Sequence, residues 1–112
     1  MMSHIFSKSF CAVFLIFFSG CVTVAHFAPS MQNQVYAMRT PAEKIELFRT
    51  QVPEKKYVEI GAVNVHRNSN VNIQIDALRA KASEAGGDAI IALEIDATVG
   101  ATATVIRYLR NN

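Results

Sequence analysis

The sequence predicts an α+β fold: one small domain in β-β-α-β-β order, with a single helix packed on a mostly antiparallel sheet. Three observations carry this expectation. Residues 56–66 and 101–110 are rich in β-branched and aromatic side chains and alternate as strands do. Between them, Val71, Ile75, Leu78, Ala82 and Ala85 recur at spacings that place them on one helical face. Gly86-Gly87 then stops the helix before a second apolar run at 88–96.

The chain opens differently. Residues 1–20 hold 13 apolar residues, including five of the seven Phe, and the remaining 92 residues are about 48% apolar, an ordinary globular value. Lys8 precedes Phe10–Phe18, nine uncharged apolar residues. As a helix these cover about 14 Å, half of a roughly 30 Å hydrocarbon core. That length suits the apolar region of a signal peptide rather than a membrane span. Phe18-Ser19-Gly20-Cys21 resembles the lipobox of bacterial lipoproteins, in which the cysteine becomes the acylated first residue of the mature chain. An ordinary secretory signal cut after Ala25 or Ala28 is the alternative. The expected organisation is a lipoprotein signal peptide at 1–20, a flexible tether at 21–40 and an α+β domain at 41–112.

Cys11 leaves with the signal, so Cys21 is the sole cysteine of the mature chain and no intramolecular disulfide is expected. Lipidation of Cys21 with palmitate-type chains gives stable membrane anchoring, since each buried methylene is worth about 0.8 kcal/mol. In the sorting pattern of the lipoproteins that this segment resembles, an Asp after the cysteine marks inner-membrane retention. Val22 stands there instead, so the resemblance implies the outer membrane, with the domain facing the periplasm.

From 22 to 40 no period is sustained, hence the tether. Lys44–Arg49 alternates as a short strand, and Pro53 breaks the chain after it. In 56–66 the phase slips: Val58 and Ile60 share one face, Val63 and Val65 the other. An extra residue near Gly61-Ala62 would bring all four to one side, which predicts a β-bulge. Arg67–Asn70 is a polar loop with N-cap residues, the helix runs from 71 to 85, and Val99-Gly100 turns the chain into the closing strand.

Tyr57-Val58-Glu59-Ile60-Gly61-Ala62-Val63, a helix ending Ala82-Ser83-Glu84-Ala85-Gly86-Gly87-Asp88-Ala89-Ile90, and a final strand resemble the YbjQ/RcsF-like superfamily of small bacterial domains. The resemblance covers about residues 43–109. It implies a small α+β fold carried by short envelope lipoproteins, with sensing or ring assembly, and heavy-metal binding in the YbjQ type. Its motifs are apolar and glycine patterns, which speak for fold rather than chemistry.

Few residues point to chemistry. Outside the signal, 10 Lys and Arg face 9 Asp and Glu, so no basic excess favours nucleic acid. His66 and Arg67, just before the helix, are candidates for contact with an anion, a phospholipid headgroup or a partner. His26 and His66 could ligate metal with Asp88, Glu94 or Asp96, but the spacing of zinc sites is missing, so no metal or cofactor is expected. Glu94 and Asp96 share a strand face without the setting of an acid–base pair. Neither a nucleophile–base pair nor a phosphate loop is present, and no enzyme is expected. The Ala101–Thr104 stretch is either an edge strand open to another chain or an internally paired one. The expected function is therefore an outer-membrane-anchored lipoprotein whose periplasmic domain acts as a non-enzymatic binding, sensing or oligomerisation module. Its partners would be the membrane through acylated Cys21 and an envelope protein or a second copy. The alternative is a small-ligand or metal-binding domain of YbjQ type.

Overall fold

The computed structural model describes residues 24–31 and 34–110. Among these residues five strands and one α-helix follow in order: β1 (Ala25–Pro29), β2 (Glu46–Leu47), β3 (Tyr57–His66), α1 (Val71–Glu84), β4 (Ala89–Asp96) and β5 (Gly100–Tyr108). They form one sheet in the order β1-β3-β5-β4-β2, with α1 across one face. Three of the four ladders are antiparallel and only β2–β4 is parallel. The α+β class and the mostly antiparallel sheet stand as predicted, with one strand more than the β-β-α-β-β order allowed.

That extra strand lies inside the expected tether. Ala25–Pro29 pairs with Gly61–Val65, so the domain begins well before residue 41. The strand is too short to show a period: only Ala25 and Phe27 of its apolar residues turn toward the helix side, where they join the core. The expected strand at 44–49 is shortened. A 3₁₀ turn occupies Ala42–Lys44, and only Glu46 and Leu47 pair as a strand. Phe48 prolongs the contact, its N–H donating to Ile90 O and its carbonyl accepting from Leu93 N–H.

The bulge in β3 falls where the phase slip placed it. Glu59 faces Ile106 and Gly61 faces Val105, leaving Ile60 as the extra residue. Ile60, Val63 and Val65 thereby reach the same buried core. Gly61 is required by close approach: a Cβ there would lie 2.5 Å from Ala28 O and from the Phe27 ring. A second bulge interrupts β4 between Ile91 and Glu94, where Ala92 takes a φ of +54°.

α1 begins at the Asn70 cap, whose side chain accepts from Asn72 N–H. It ends in a Schellman turn: Gly86 N–H donates to Ser83 O, Gly87 N–H to Ala82 O, and Gly86 sits at φ +92°. The buried stripe differs from the expected one. Leu78 and Ala82 are fully buried, joined by Gln74 and Ser83, while Val71 is 42% exposed and Ile75 and Ala85 are half-buried. The helix is rolled toward the 34–40 segment, which offers Ser83 a partner: its hydroxyl donates to Thr40 O at 2.6 Å.

Candidate functional site on the open face of the sheet

Side chains alternate along strands, so the face turned away from α1 is set by register. His26, Asn64, Thr102 and Glu94 stand opposite one another across four strands in one exposed row. His66, next on that face of β3, reaches back across the ladder. Its ring meets that of His26 edge-on, with centroids 6.1 Å apart and planes at 81°. Ala28, Ala62 and Thr104 continue the same face, which makes this half of it low and polar.

The other half is closed. Ala89, Ile91 and Ile106 form a small second core under Phe48, Tyr57 and Tyr108. Tyr108 hydroxyl donates to Glu46 at 3.0 Å, and Lys55 Nζ stands 5.2 Å from the ring centroid. Burial first, then the Glu46 carboxylate, pushes the Tyr108 phenol up to about 12.

The two adjacent candidates His66 and Arg67 are placed on different surfaces. His66 lies on the open face, whereas Arg67 lines a cleft of about 380 Å³ beside the start of α1, with Ser69, Val71, Gln74 and Asp96. The helix N-terminus there is largely satisfied from within, because Asn72, Ile73 and Gln74 all donate to Asn70. Asp96 accepts from the Thr98 hydroxyl and the N–H groups of Thr98 and Val99. These bonds, led by the hydroxyl, hold its carboxyl below the usual range and fix the β4–β5 turn.

Asp88 serves another purpose than the metal ligation weighed for it. It is only 6% exposed and accepts four hydrogen bonds. Arg39 grips both oxygens, Nε to Oδ1 at 3.0 Å and Nη2 to Oδ2. Thr40 hydroxyl adds 2.6 Å and Tyr108 N–H 2.8 Å. Burial opposes the charge, but these donors outweigh it and hold the carboxyl at about 2. Beside it, Arg107 donates to Ala37 O and Gly86 O and lies 5.2 Å from the Tyr36 ring centroid. Residues 36–40 are thus clamped to the domain. Nothing in the sequence paired Arg39 and Thr40 with an acid some fifty positions away.

Among the described residues, no group of three or more His, Cys, Asp or Glu converges as a metal cluster, and no helix is long and apolar enough to cross a membrane. Ala101–Thr104 lies in β5, the central strand, so it pairs internally on both sides. Cys21 and the signal segment lie outside the described residues. Comparison with protein-family models, with curated proteins and with solved structures finds no match to this chain.

Proposed function

We propose that this protein is an outer-membrane lipoprotein, anchored through acylated Cys21, whose α+β domain is a non-enzymatic binding module held directly against the periplasmic surface of the bilayer. The observation that carries this reading is the position of β1. Ala25, four residues after Cys21, is already paired with Val65 in the sheet. Four peptide steps span at most about 14 Å, so the anchor and the folded domain cannot separate. The pole nearest the anchor carries Val24 (54% exposed), Val71 (42%) and Val99 (66%), with Arg67 among them. Apolar side chains mixed with a cation suit a membrane interface with anionic headgroups. Fixed in this way, the domain presents its open face sideways along the membrane to envelope partners or to a second copy.

The test has two parts. Mass spectrometry of the mature N-terminus is expected to show an acylated Cys21. Spin labels at Val99→Cys and Val52→Cys, which lie at opposite poles, then report depth in vesicles. The label at 99 should be quenched by lipid-borne reagents and the one at 52 by aqueous ones. Equal aqueous exposure of both labels in the acylated protein defeats the docked arrangement, and an unmodified N-terminus defeats the anchor.

A further inference from the structure

We infer that His26 and His66 form a two-imidazole site for a divalent transition-metal ion of the copper, nickel or zinc kind, open to further ligands on the outer face of the sheet. The two histidines are forty positions apart in the sequence and meet only because β1 pairs with β3: His26 stands opposite Asn64, and His66 is the next residue on that face. A metal holding each imidazole nitrogen at about 2.0–2.1 Å keeps each ring centroid roughly 3.2 Å away. Two rings on one ion therefore have centroids at most about 6.4 Å apart, and about 5.2 Å apart at a tetrahedral angle. The 6.1 Å separation lies inside that limit. Closing it by about 1 Å needs only a change of side-chain torsion, and both histidines are exposed.

The surroundings favour this occupant. The neighbours on the face are Ala28, Ala62, Asn64 and Thr102, which are small or neutral, and the charged member of the row is the acidic Glu94. Among the described residues neither imidazole makes a hydrogen bond, so each neutral ring can offer its one lone-pair nitrogen, in either tautomer. Two protein ligands are fewer than a structural zinc site uses, so water or a partner's side chain fills the remaining positions and the ion is exchangeable. Imidazole donors place copper(II) first in affinity, nickel and zinc below it. The site depends on the β1–β3 pairing alone and is independent of the membrane reading.

The chain contains three histidines, His4, His26 and His66, which makes the test compact. Isothermal titration of the untagged full chain with Ni²⁺ is expected to show binding that His26→Ala and His66→Ala each weaken at least about tenfold, because either change turns a chelate into a single ligand. His4→Ala should leave the affinity unchanged. Thermal melting of each variant checks the fold, and His26→Gln and His66→Gln replace any alanine variant that melts early. Absence of Ni²⁺ binding by the parent overturns the site, as does binding that survives loss of both His26 and His66. In either case the edge-on pair is a contact between rings and nothing more.

Discussion

Asp88 shows how one buried charge can hold a chain segment in place. Its carboxylate is stable only because Arg39, Thr40 and the Tyr108 N–H converge on it, and burying it without them would be strongly unfavourable. A carboxyl held at about 2 in the fold, against 3.8 for the ordinary group, stabilises the folded state above pH 3.8. That contribution, roughly 2 kcal/mol, is lost as the pH falls through about 2, because the unfolded chain takes up the proton first. Urea-unfolding midpoints measured from pH 6 to pH 2 should fall steeply in the parent. In Asp88→Asn the midpoint should start lower and fall less over the same range. An unchanged acid slope in that variant would mean that other carboxylates, Asp96 among them, set the acid limit.

At the scale of the element, α1 separates what periodicity reveals from what it misses. Leu78 is fully buried against the sheet, while Val71, on the same expected stripe, is 42% exposed. Leu78→Ala should therefore cost about 2–5 kcal/mol. Val71→Ala should shift stability by less than about 0.5 kcal/mol, both read from chemical denaturation of the full chain. Equal costs would restore the stripe as first expected. The helix, its glycine stop and the β3 bulge were legible because each is a local pattern: spacing along one face, paired glycines after the last turn, a phase slip across Gly61. The roll of the helix was not legible. It depends on Ser83 meeting Thr40 and on Gln74, whose amide donates to Asn68 O, and such polar contacts leave no period. The His26–His66 pair was legible only as two histidines. Their meeting requires β1, a strand with too few inward residues to announce itself.

For the whole molecule, the question is where the domain begins. A tether would tolerate any flexible sequence of equal length. The segment from Ala25 to Thr40 instead supplies an edge strand with a five-residue ladder, the Tyr36 ring beside Arg107, and two of the donors on Asp88. Replacing residues 25–40 with Gly/Ser repeats of the same length should remove all three. Loss of the partners of a buried charge alone costs about 3–5 kcal/mol, and a domain this size has only about 5–15 kcal/mol in total. The replaced protein should thus be largely unfolded in circular dichroism and proteolysis at room temperature, even where export and acylation are intact. A narrower pair of variants separates the two contributions. Replacing only 25–29 removes the ladder but keeps the clamp, and Arg39→Met keeps the ladder but leaves Asp88 without its cation. Adding Asp88→Asn to Arg39→Met should recover part of the lost stability, because the amide no longer carries a buried charge. A melting transition of the Gly/Ser protein equal to that of the parent would return 25–40 to the status of a linker and move the start of the domain to Pro41.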